Sequence, residues 1–297
     1  MVVGYIFAIL ATALWSGNFI VARGLNESIP PISLAFFRWL VAILVFLPFA
    51  IKPLLGQIHI IKINLLYLCI VSILGVSIFN TLIYFAGQTT TAINLSLISI
   101  TFPIFILILS RIFFGELITI NKSIGILFVA LGIVLLISKG DISVILNITF
   151  TVGDIWMFGA AIVFAIYSIL LKYRPKDLNI LAFQLCTFIL GLIFLIPFFI
   201  WEYNVTPPFE LNTEIITSIL YVGIFASLLA FILWNKAIDR IGSIKAGMIY
   251  YTLPIFSGFL AYVFLNESIG MIHMYSVLSI AVGIFVANYE LKKQHKL

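Results

Sequence analysis

Trp15 and Asn18 stand three residues apart in one apolar stretch, and Asn80 and Tyr84 stand four apart in another. On a helix either spacing puts both side chains on one face. An indole with an amide, and an amide with a phenol, are then presented together. Hydroxyls recur in similar settings at Ser96, Ser99, Tyr167, Tyr250 and Tyr251, with Trp234 and Asn235 nearby in sequence. These groups exchange neutral hydrogen bonds, the chemistry of holding a polar or zwitterionic solute. The same residue types also pack helices and anchor them at the membrane interface. Trp234 is read as such an anchor, and Ser96 stands evenly between packing and binding. Arg38 is the one charge well inside an apolar stretch, and such a residue is a functional candidate by default. It is a solute contact, half of an ion pair with Glu27, Asp154, Glu202 or Glu267, or a side chain that snorkels to the outer surface.

Covalent and metal chemistry have no comparable footing. His59, His273 and His295 fall in loops or near span ends, with neither metal-ligand nor nucleophile–base spacing. No G-x-x-x-x-G-K-[ST] phosphate loop occurs. Cys69 and Cys186 lie in apolar segments and imply no disulfide framework. The reading is of no catalytic residue, no metal and no cofactor.

The elements that position these groups follow from composition. Of the 297 residues, 63% are hydrophobic and 9% charged, against about 45–50% and about 25% in soluble domains. The apolar stretches have the length of bilayer-crossing helices. Divided at charges, glycines and prolines, they give ten spans near 3–22, 32–51, 65–86, 91–114, 121–138, 152–171, 180–200, 214–235, 244–265 and 270–288. The expected fold is all-α, a polytopic membrane protein. With the N-terminus inside, 13 of the 16 Lys and Arg fall in cytoplasmic segments, two (Arg23 and Lys139) fall outside, and Arg38 lies within a span. That split satisfies the positive-inside rule and puts both termini in the cytoplasm. The net charge of +5 is thereby a matter of topology, and no nucleic-acid partner is inferred; the partners are the lipid bilayer and a small-molecule solute.

A phrase is also repeated. Thr101, Pro103, Ile104, Phe105 and Glu116 recur 151 positions later as Thr252, Pro254, Ile255, Phe256 and Glu267, and Gly132 recurs as Gly283. The copies lie in the fourth and ninth spans, five spans apart. An odd number makes them antiparallel, so the chain is two inverted five-helix repeats, residues 1–138 and 152–297, joined by a linker at 139–151. Inverted halves are a construction of secondary transporters. Pro103 and Pro254, each near mid-span, leave the carbonyls of Ser99 and Tyr250 without helical partners and are expected to act as hinges or gates facing a central cavity. Glu116 and Glu267 close span ends and are expected to be structural.

These residues resemble the EamA family of the drug/metabolite transporter superfamily. The resemblance rests on L-W-S-G-N-F-I-V-A-R at 14–23, F-R-W-L-V-A at 37–42, the P-I-F…E-x-I phrase of both halves, and G-I-V-L-L and G-I-F-V-A closing the fifth and tenth spans. It implies a bacterial inner-membrane carrier, often an exporter of amino acids or other small metabolites. Two rivals remain at this point, a membrane scaffold or sensor that moves nothing and an intramembrane enzyme.

Overall fold

A computed structural model describes residues 2–90, 95, 98–99, 101–138, 141, 143, 151–253, 255–257, 259–260 and 271–288. Among the described residues there are helices and turns and no strand. The first three spans are Val2–Gly24, Pro31–Gly56 and Leu65–Thr89, and the sixth and seventh are Val152–Leu170 and Ile180–Val205. Shorter apolar helices at Thr101–Phe114, Ile120–Ser138 and Met271–Asn288 supply the fourth, fifth and tenth. The helix Thr213–Tyr250 joins the eighth span to the start of the ninth. It breaks at Gly242, whose φ of 79° suits a residue without a side chain.

The second and seventh spans run beyond their expected ends at 51 and 200. Pro48, Pro53 and Pro197 lie inside them, because a membrane helix tolerates a proline where neighbours satisfy the carbonyl it frees. The eighth span likewise continues past Lys236 to the break at Gly242.

Inversion is visible where the fifth and tenth spans cross. A Cβ on Gly125 would lie 2.5 Å from the Gly283 carbonyl oxygen, and one on Gly132 would lie 2.8 Å from that of Ser276. The offset of 151 turns Gly132 into Gly283 and Gly125 into Ser276, so the repeat exchanges the two contacts. Gly132 and Gly283 recur because each lets the antiparallel helices touch backbone to backbone.

One end of the bundle is basic. There Asn179 N donates to Gln57 Oε1 at 2.7 Å, Arg174 pairs with Asp239 at 2.6 Å, and Lys172 pairs with Glu116 at 3.4 Å. At the far end the acids cap helices. Buried Glu202 accepts from Ile32 N at 3.0 Å, Ser33 N at 2.6 Å and Ser33 Oγ at 2.8 Å, placing a carboxylate on the second span's positive N-terminus. Asp154 accepts from Thr151 N at 2.6 Å and from the Thr90 hydroxyl, tying the third span to the sixth. Glu202→Ala would strand two buried N–H groups, at a cost of about 2 kcal/mol. The expected result is a lower thermal midpoint in detergent, with part of the loss recovered by Glu202→Gln; an unchanged midpoint in the alanine variant would refute the capping role.

Candidate functional site

Asn18, Arg38 and Tyr84 come together within seven residues of the far ends of the first three spans, at Gly24, Pro31 and Thr89. Arg38 Nη1 donates to the Tyr84 hydroxyl at 2.6 Å and to Asn18 Oδ1 at 3.1 Å, and the Tyr84 hydroxyl donates to the same Asn18 oxygen at 3.0 Å. Arg38 Nε donates to Ser227 Oγ on the eighth span at 2.7 Å. The guanidinium also lies 5.2 Å from the Trp39 ring centroid and 5.5 Å from that of Tyr84. It is wholly buried. Every one of these partners is neutral. Desolvating such an ion costs several kcal/mol, and charge-assisted hydrogen bonds at about 1.5–3 kcal/mol each with ring contacts of about 2 kcal/mol can offset that. Nη2 has no hydrogen-bond partner among the described residues.

The sixth, seventh and eighth spans build a matching cluster toward the basic end. Tyr167 donates its hydroxyl to Asn235 Oδ1 at 3.0 Å, and Asn235 Nδ2 donates to Gln184 Oε1 at 2.6 Å. Gln184 Nε2 is buried and, among the described residues, without a partner. The repeat relates the two clusters. Asn18 plus 149 is Tyr167, and Tyr84 plus 151 is Asn235; Arg38 plus 149 is Thr187, three residues from Gln184. One end of the molecule thus carries a charged triad and the other its neutral counterpart.

An aromatic layer separates them. Trp15 meets Phe164 edge-on at 5.2 Å and Trp234 at 5.2 Å, while Phe231 touches Trp15 at 5.7 Å, Trp39 at 5.3 Å and Tyr167 at 5.9 Å. The layer follows the same relation, since Trp15 plus 149 is Phe164. Trp234 is fully buried here, and its indole donates to Ser168 Oγ at 3.2 Å. The interfacial placement expected for it is corrected: the helix runs on past Lys236, which draws Trp234 inward.

Two irregular segments, unsignalled in the sequence, supply the partners of the Trp15 and Trp39 indoles. The third span loosens into a π-helix at Ile73–Ile78 and the eighth at Val222–Leu229, starting points 149 residues apart. Widened turns release carbonyls from the usual ladder. Trp39 Nε1 donates to Val76 O at 2.9 Å and Trp15 Nε1 to Ala226 O at 2.8 Å.

The remaining expected residues divide. Tyr250 is buried beside Trp15, at 6.1 Å between centroids, and is hydrogen-bonded to Ser99. Tyr251 is buried, its hydroxyl without a partner among the described residues. Asn80 lies on the Tyr84 face but turns to its own helix, donating to Gly75 O at 3.4 Å. Pro103 is buried in the fourth span, 3.6 Å from where a Cβ on Gly247 would stand. Ser96, Pro254 and Glu267 lie outside the described residues. Of the acids offered as partners for Arg38, Asp154 and Glu202 cap helices instead.

Antiparallel repeats of apolar spans, closing a polar cluster at each end of an aromatic layer, define a multi-pass membrane protein. The model of the EamA-like transporter family matches residues 2–138 and again 151–289, and the chain belongs to that family. It is 28% identical to an "Uncharacterized transporter" of Archaeoglobus fulgidus, over 97% of this chain and 96% of that one. It is 25% identical to the "Uncharacterized transporter YetK" of Bacillus subtilis, over 95% and 86%. A crystal structure at 16% identity superposes with a TM-score of 0.74 over 96% of each chain, which shows the shared fold.

Proposed function

We propose that the protein is a secondary carrier of the bacterial inner membrane that exports small organic solutes, amino acids or related metabolites, by alternating access. Its two repeats are 1–138 and 152–297, joined by the linker 139–151, and both termini lie in the cytoplasm. The observation that carries this reading is the pair of inverted polar triads, each buried, on either side of the Trp15–Phe164–Phe231 layer. Breaking one triad opens the site to one side while the other keeps it closed. Trp15, Tyr250 and Tyr251 then present their rings, with Asn18, Arg38 and Tyr84 or Tyr167 and Asn235 as polar contacts. At the basic end a groove of about 520 Å³, lined by Phe7, Asn179, Lys236 and Arg240, suits the cytoplasmic entrance.

The test is counterflow in proteoliposomes with a panel of labelled amino acids and metabolites, with and without a pH gradient. The expected result is saturable uptake of at least one solute, reduced at least tenfold in Asn18→Leu. Failure of the whole panel to move through protein shown to be folded would favour a scaffold.

A further inference from the structure

We infer that Arg38 is the solute's counter-ion, so that the transported solute carries a carboxylate, bound through Arg38 Nη2. This rests on the carrier reading and names the charge its substrate must bear.

Two acids at the same end of the bundle are committed to helix N-termini and not to the arginine. Glu202 and Asp154 are both buried, yet Glu202 faces the N-terminus of the second span and Asp154 that of the sixth. Arg38 is instead held by an amide oxygen, a phenol and a hydroxyl. Such contacts orient a guanidinium and leave its charge in place. Its charge is solvated by neutral dipoles and is not cancelled by the Glu202 or Asp154 carboxylate, which leaves it open to an anionic ligand.

Geometry narrows the anion. Nη1 and Nε are committed to Tyr84, Asn18 and Ser227, so among the described residues one nitrogen edge, Nη2, remains without a partner. A dianionic phosphate calls for more donors than that; a single carboxylate does not. The rings of Trp15 and Phe231 suit an apolar body next to the charged head. The corresponding group in the other repeat, Gln184 Nε2, is neutral and cannot discriminate by charge. Selection for an anion is therefore assigned to the far-end triad alone.

The probes are 3-phenylpropionate, its amide 3-phenylpropanamide, the cation 2-phenylethylamine and inorganic phosphate. Binding to the full-length purified protein is followed by tryptophan fluorescence. The acid is expected to bind at least tenfold more tightly than the amide, with the amine and phosphate failing to compete. Arg38→Gln should bring acid and amide to equal affinity by weakening the acid alone. If that variant does not fold, Arg38→Lys and Tyr84→Phe decide. Lysine keeps a charge without the planar fork, so the preference for acid should shrink but persist, and Tyr84→Phe should keep it. Equal binding of acid and amide by the wild type, no acid binding at millimolar concentration, or an acid preference that survives Arg38→Gln would overturn the proposal. Transport of amines or neutral solutes without acid preference would leave the carrier reading standing and remove the counter-ion. Acid binding with no transport of any solute would do the reverse.

Discussion

Gly125→Leu is expected to prevent recovery of folded protein, with a cost of about 3 kcal/mol or more. The glycine sits where the fifth and tenth spans cross, and a Cβ there would lie 2.5 Å from Ala287 Cβ, 2.5 Å from Gly283 O and 2.7 Å from Ala287 N. Two of those three atoms belong to the partner's backbone and cannot rotate away. In lipid, apolar side chains gain little by leaving hydrocarbon for a neighbouring helix, so association depends on close packing and on hydrogen bonds between helices. Here the close approach also aligns Ser276 Oγ with Gly132 O at 2.5 Å and Ser279 Oγ with Phe128 O at 2.7 Å. A leucine would separate the helices and lose all of these contacts together. Leu127, on the same helix and 69% exposed, is the control: Leu127→Ala should leave yield and thermal midpoint nearly unchanged. A monodisperse Gly125→Leu protein with the wild-type midpoint would mean that the crossing contributes little.

The doubled phrase made this crossing partly legible. Gly132 and Gly283 recur at the offset of the repeat, and a glycine retained at corresponding positions of antiparallel helices suits their mutual approach. Composition likewise revealed the spans, since a membrane helix must satisfy its backbone internally and has to be long and apolar to do so. The faces shared by Trp15 and Asn18, and by Asn80 and Tyr84, followed from helical periodicity.

Other parts of the site had no such marker. A π-segment is a local change in hydrogen-bond register, and Ile73–Ile78 and Val222–Leu229 contain the same residue types as the regular helix around them. The prolines drew attention to the fourth and ninth spans, yet the irregular turns that receive Trp15 and Trp39 lie in the eighth and third. Gln184 carries no marker in the sequence because its role depends on Asn235 and Tyr167, partners fixed by tertiary packing. For Arg38, sequence could count acids at the same end but not foresee that two of them cap helix N-termini.

The relation between the triads leads to an opposed pair of effects. Tyr84→Phe removes the hydroxyl that joins Arg38 to Asn18, and Tyr167→Phe removes the one that reaches Asn235. Each deletion loosens one end of the bundle and leaves the other closed. A hydroxyl hydrogen bond contributes about 1 kcal/mol net, and more when its partner is charged. A carrier whose open states are populated at roughly 0.1–10% should then shift several-fold toward the end that was loosened. Ala22 and Leu171 are suited to report this. They are related by the offset of 149, both are buried, and they lie near the far end of the first span and the basic end of the sixth. With Cys69 and Cys186 replaced by serine, Ala22→Cys should react with a thiol reagent about fivefold faster in Tyr84→Phe and no faster in Tyr167→Phe. Leu171→Cys should show the reverse, and both tyrosine variants should transport at least tenfold more slowly than wild type. Faster labelling of both cysteines in either variant would indicate general loosening. Unchanged labelling with full transport in both would make the triads packing contacts, and alternating access would need a different pair of gates.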